Sequence, residues 1–369
     1  MRKAAIILAL ALPLGLAPAS AGERGGKAVQ GFSVDPEVLC EIRDQWIDQL
    51  LAENPRGGWV PMKMEPTDQQ LAMIGLPPAN VLRSRSYEQP TIVAADGRTA
   101  TISMAELQAA MRAQPVAAYA GTGCLGIRPG AWLLLLDQGV SWCSLAHVYG
   151  SPGSYDISTA GHCGKTGTTA TVIAAFGNRG GIAGPVLLDF GKFAKSQDGG
   201  LGKDWALIDI YSSAQGLVSP TMCFWGGPKG MYTKTGDVAA FNWGGKGPSV
   251  SVTPDPLLAQ GVAHYGHGLG VGLGGTPRAG AAIAWRSTHF MFTGAISPGD
   301  SGSGSNAVVG DMTSGGPMEA AGINTHLWID PIMRSGIGIM GGTRATQVTG
   351  TLANGQLIPY PAPCAGCPG

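Results

Sequence analysis

Glycine most limits what this chain can fold into: 59 of its 369 residues are Gly, while only 13% are charged. Such a composition suits many short strands joined by tight turns better than long helices with solvated faces. Apolar runs fit that reading. Residues 132–136 form one, Gln138-Gly139 can turn, and 140–148 form a second run. Residues 155–160 lead directly into Gly161-His162, and 169–176, 185–190 and 205–211 are further candidate strands. Repeated short strands with Gly turns argue for an all-β barrel or sandwich, and strands recur between Met231 and Val348, so two barrels in series fit the length.

The beginning of the chain reads differently. Arg2 and Lys3, an apolar run over 4–16 and Ala19-Ser20-Ala21 have the order of an export signal ending near residue 21. A membrane anchor is the alternative, but the run is short for a bilayer and Pro13 interrupts it. From Gly22 to Ala118 there are 21 charged residues in 97 positions, against 25 in 251 from Tyr119 to Gly369. That drop marks a domain boundary beside Gln114-Pro115 and Gly121-Thr122-Gly123. Within 22–118, Asp35-Pro36 starts a helix carrying Val38, Leu39, Ile42, Trp46, Leu50 and Leu51. Residues 91–102 read as a hairpin turning on Asp96-Gly97, and Ser103 with Glu106 as a capping box for a helix ending near Ala113. A Pro- and Cys-containing tail occupies 351–369. A net charge of zero points to neither nucleic acid nor an anionic membrane.

Three short stretches carry chemistry. Thr159-Ala-Gly-His162-Cys163 offers a histidine at a strand end, Asp204-Trp-Ala-Leu-Ile a carboxylate opening a strand, and Pro298-Gly-Asp-Ser301-Gly a serine between glycines. A serine hydroxyl attacks a carbonyl only when a base removes its proton, and a histidine suits that task near neutral pH. A carboxylate is then needed to hold the imidazole in the right tautomer. Asp209, five residues after Asp204, competes for that role but falls on the opposite face of the strand. His147, His264, His267, His289 and His326 compete with His162; His264 and His267 read as loop residues. Gly270-Val-Gly272-Leu-Gly274-Gly275 and Gly164-Lys165-Thr166 superficially match nucleotide-binding patterns but lack the strand–loop–helix context.

In the order His, Asp, Ser, over roughly residues 124–348, the chain resembles secreted bacterial serine proteases of the chymotrypsin/trypsin-like class. The resemblance implies two six-stranded antiparallel β-barrels over 119–350, an N-terminal α+β pro-region over 22–118, and an active site in the cleft between barrels. It implies catalytic His162, Asp204 and Ser301, with an oxyanion hole from the N–H groups of Gly299 and Ser301. Ala295 is implied at the base of the specificity pocket, where a neutral residue argues against Lys or Arg substrates. Thr325 and Leu327 fall on the strand that binds the substrate main chain, where Leu327 narrows the pocket mouth. Asp300 is implied in a buried ion pair, with a new N-terminus, Arg278 and Arg286 as candidate partners. Seven cysteines in an exported chain imply disulfides; the resemblance pairs Cys143 with Cys163, and Cys124 with Cys223 is a second candidate pair. The pairing of Cys40, Cys364 and Cys367 is open. No metal or cofactor is expected. The expected protein is an extracellular monomer acting on polypeptides. The rivals are an esterase using the same triad and a catalytically silent homologue that binds peptides or a partner protein.

Overall fold

The apolar runs pair into two antiparallel sheets, each curling back on itself. The structure, a computed structural model, describes residues 36–113, 125–137, 139–222, 227–237, 261–268, 276–294, 296–309, 318–332 and 339–353. The expected export signal, the expected linker at 114–124, Ala295, the 270–275 glycine cluster, most of the tail, and Cys124, Cys223, Cys364 and Cys367 lie outside those residues.

The N-terminal region contributes α1 (Pro36–Glu53), β1 (Gly58–Pro61), α2 (Asp68–Met73), α3 (Ala79–Arg83), β2 (Thr91–Val93), β3 (Thr99–Thr101) and α4 (Met104–Ala113). Its local signals act where expected. β2 and β3 pair across the Asp96-Gly97 turn, with Gly97 at φ +84°. Ser103 Oγ accepts the Glu106 N–H while the Glu106 carboxylate accepts the Ser103 N–H, which caps α4.

The first barrel uses β4 (Trp132–Leu135), β5 (Ser141–Ser144), β6 (Val148–Ser151), β7 (Ser154–Thr159), β8 (Thr169–Arg179), β9 (Ile182–Asp198) and β10 (Asp204–Ile210). Their order is β5-β4-β8-β9-β10-β7-β6. The run expected over 140–148 is interrupted at 145–147, where the chain changes partner. β5 pairs with β4, β6 pairs with β7, and between them Ala146 N–H donates to Ser158 O and Ser158 N–H to His147 O. Those bonds bring the two ends of the sheet together, so six strand paths enclose a core that includes Leu133, Leu145, Ile157, Val172, Leu188 and Ile208.

The second barrel uses β11 (Gly236–Asp237), β12 (Gly261–Gly266), β13 (Thr276–Trp285), β14 (His289–Gly294), β15 (Gly304–Val308), β16 (Met318–Ile329) and β17 (Met340–Arg344). The ring β16-β15-β12-β13-β14-β17 closes through the β16–β17 pairing. β11 adds to β13, and β1 adds to the far end of β16. The N-terminal region therefore packs on both barrels: β1 extends the second, while β2 pairs with β9 of the first. Leu71, Leu82, Tyr87 and Val93 share a buried cluster with Trp132, Trp142 and Leu187.

His264 differs from expectation: it lies on β12, which is paired to β13 and β15, whereas His267 lies in the loop just beyond the strand as expected. Both rings are buried.

Candidate active site

Each of the three sequence stretches ends at the seam between the barrels. His162 sits in a single 3-10 turn, Gly161–Cys163, that follows β7 directly. The turn is anchored by a Cys143–Cys163 disulfide (Cα–Cα 6.4 Å), which ties it to β5. It can form only with glycine at 161, because a Cβ there would lie 1.9 Å from the Gln197 carbonyl oxygen. Both sulfurs are bonded to each other, so Cys143, His162 and Cys163, though clustered, offer no thiolate to a metal.

Asp204 opens β10 and is fully buried, whereas Asp209 on the same strand is exposed, as its odd offset requires. One Asp204 oxygen accepts the His162 backbone N–H at 3.0 Å; the other lies 2.5 Å from His162 Nδ1. Burial pushes the Asp204 carboxyl up, but the His162 charge and hydrogen bonds outweigh it and hold its pKa below the usual value. An ionised carboxylate can only accept, so Nδ1 carries the proton and Nε2 faces the other way as an acceptor. Ser301 Oγ is hydrogen-bonded to that Nε2.

Ser301 is held by a turn tied to both barrels. Ser144 N–H donates to the Ser301 carbonyl at 2.7 Å, and Ser144 Oγ donates to the Gly299 carbonyl at 2.9 Å. Gly302 N–H donates to Asn324 O at 2.7 Å. Gly299 (φ +94°) and Gly302 (φ +87°) take left-handed conformations that side chains rarely adopt. A Cβ at Gly302 would also approach Thr159 Oγ1 to 2.2 Å.

Asp300 pairs with Arg278, among the three candidates that sequence left open. The guanidinium grips it with both terminal nitrogens, at 2.5 and 2.6 Å, and both side chains are buried. Gly268 N–H and Ser297 N–H also donate to this carboxylate, at 2.9 Å each. Burial alone would raise its pKa; Arg278 charge and hydrogen bonding bring it below the usual value. The serine turn is thereby braced by an internal arginine without requiring a newly freed N-terminus.

Thr325 and Leu327 are buried on β16, with Leu327 opposite Val60 of β1. His326, between them, is one of the histidines that compete with His162 in the sequence. Its Nδ1 lies 3.6 Å from Asp204 Oδ2 and 2.8 Å from Thr325 Oγ1. Burial pushes its pKa down to about 4, with the Asp204 charge opposing that shift, so at neutral pH it stands beside the carboxylate uncharged. Nothing local in the sequence marks this; a β-bulge between Asn324 and His326 is what turns the ring inward.

No protein-family model matches the chain, and no curated protein sequence does. Among solved structures it is similar to Thermobifida fusca protease A, at 18% identity and a TM-score of 0.37 over 62% of this chain and 99% of that one. It is similar to Cellulomonas bogoriensis chymotrypsin at 18% identity and a TM-score of 0.32, over 60% of this chain and 92% of the other. Nocardiopsis protease gives 16% identity and a TM-score of 0.31, over 60% and 93%.

Proposed function

We propose that this chain is an exported serine endopeptidase of the chymotrypsin-like class, cutting polypeptides through an acyl-enzyme. Ser301 is the nucleophile, His162 the general base and then general acid, and Asp204 the group that orients the imidazole. The Gly299 and Ser301 N–H groups are the donors for the oxyanion that forms when Ser301 attacks. Removing one such donor costs about 10²–10³ in turnover in subtilisin, an unrelated fold with the same chemistry.

One observation carries the reading. Links between residues 42 and 139 positions apart in sequence form one continuous line, Asp204–His162–Ser301, at the seam of two barrels. A buried aspartate would stay costly without a partner, and here its partner is the imidazole that contacts the serine. The bracing by Arg278 and the φ values of Gly299 and Gly302 support a preorganised site, since both are internal to the turn and its barrel and need no substrate contact.

The test is digestion of casein by the secreted protein and by Ser301→Ala. Loss of the hydroxyl should reduce turnover by about 10⁶, the scale measured when the serine is removed from such a triad in subtilisin. Equal digestion by both proteins would remove Ser301 from the mechanism.

A further inference from the structure

Residues 58–64 of the chain cross the candidate active site as an extended strand. Upstream, β1 runs antiparallel to β16, with Val60 opposite Leu327 and Pro61 opposite His326. Met62 N–H then donates to the Thr325 carbonyl at 3.1 Å. Its carbonyl accepts the Gly299 N–H at 3.3 Å, from the turn that carries Ser301 two residues later. Downstream, the Met64 carbonyl accepts the Trp142 N–H at 2.8 Å, so the segment has passed onto the first barrel. The Met62–Lys63 bond lies between these two anchorages, one on the turn that carries Ser301 and the other on β5, which the Cys143–Cys163 bridge ties to the His162 turn.

Side chains fit the same arrangement. Met62 is fully buried and belongs to the apolar cluster that includes Val60, Ile296, Leu327 and Met340. Lys63 turns toward solvent and pairs with Glu65 at 3.3 Å. A buried apolar residue with its carbonyl on an oxyanion donor, followed by a solvated one, is the arrangement of a bound substrate rather than of a structural edge strand.

Resting on the proteolytic reading above, we propose that Met62–Lys63 is this enzyme's first substrate bond and that its specificity pocket takes methionine or a similar unbranched apolar side chain. Ser301 Oγ attacks the Met62 carbonyl carbon as His162 takes the hydroxyl proton. The C–N bond breaks, and the Lys63 nitrogen leaves with that proton. Water then hydrolyses the acyl-enzyme, giving a Met62 carboxylate and restoring Ser301. α1 and β1 lie upstream of the cut. Residues 63–113 stay with the enzyme, because β2 is paired to β9 and Leu71, Leu82 and Tyr87 are buried against the first barrel.

The experiment uses the full chain. Mass analysis and N-terminal sequencing of the purified wild type should give a polypeptide beginning at Lys63, while Ser301→Ala keeps the 62–63 bond. An intact bond in wild type, or a Ser301-dependent cut elsewhere in the N-terminal region, overturns the proposal. The protease reading survives that result if casein is still digested in a Ser301-dependent way; absence of any Ser301-dependent hydrolysis sinks both. The pocket is tested on Gly-Trp-Val-Pro-Met p-nitroanilide against its Asp counterpart. At least a 100-fold advantage in kcat/KM for Met is expected, and equal rates overturn the pocket assignment. Lys63→Pro keeps Met62 extended but puts ring carbons on the leaving nitrogen. It should melt like Ser301→Ala, remain uncut, and turn over the Met anilide at least tenfold more slowly than the processed wild type. Full turnover by an uncut Lys63→Pro chain would show that the segment does not occupy the cleft.

Discussion

At the scale of single residues, the serine turn depends on one buried ion pair. Asp300 is wholly enclosed, so removing its partner would leave a buried carboxylate with two backbone donors and without the guanidinium that balances its charge. Breaking one side of such a pair typically costs about 3–5 kcal/mol. Arg278→Met should therefore lower stability by that amount in urea unfolding, and casein digestion should fall with it because Gly299 loses its bracing. A change below about 1 kcal/mol would mean that the pair is not what holds the turn. The three motif residues were legible because each sits in a short stretch whose chemistry is local: a turn glycine, a strand-opening carboxylate, a serine between glycines. Arg278 and His326 were not distinguishable from other basic residues. Their roles come from β12–β13 pairing and from a bulge in β16, which no neighbouring residue encodes.

At the scale of elements, the 3-10 turn bearing His162 is the most exposed to failure. It is one turn long and is held by the Cys143–Cys163 bridge and by Asp204 accepting the His162 N–H. The bridge spans a sequence separation of 20, and a loop of about that length corresponds to roughly 3 kcal/mol of stabilisation. The double variant Cys143→Ala/Cys163→Ala should lose about that much in denaturant unfolding and should lose activity more steeply than stability. Unchanged activity at full folding would show that Asp204 alone positions the imidazole. Strands β4, β7, β8 and β10 were legible as apolar runs bounded by turn residues. β9 runs longer than expected, over Ile182–Asp198, because it pairs with β8 along its first part and its polar C-terminal half is held by backbone pairing to β10 rather than driven there by apolar content.

At the scale of the molecule, the all-β class was legible in the strand and turn pattern and the two barrels in the family resemblance, whereas the docking of the N-terminal region across both was not. The β1–β16 pairing joins Gly58 to Ile329, and pairings so distant leave no periodic trace in sequence. The whole fold also buries titratable groups whose folding linkage can be signed. His147 is fully enclosed, with Nε2 3.2 Å from Asn306 Oδ1, and burial lowers its pKa to about 4 despite that hydrogen bond. Burial lowers that of His326 to about 4 as well. Between about pH 6.5 and 4 the unfolded chain binds these protons and the folded chain does not, so stability falls as pH falls through that window. His147 alone contributes on the order of 3 kcal/mol of this loss. Asp204 and Asp300, with lowered pKa values, add their own loss only below the ordinary carboxylate range. Urea unfolding at pH 7 and pH 4.5 should show the decline, and His147→Gln should flatten it; a level profile in the wild type would contradict the burial assigned to these rings.

A proton relay at the barrel seam should make one serine far more reactive than the others in the chain. The direct measurement is mass spectrometry of the purified protein after treatment with a fluorophosphonate. A single adduct on Ser301, absent from His162→Ala, is the predicted result. An unmodified Ser301, or an adduct that forms equally well without His162, would contradict the account.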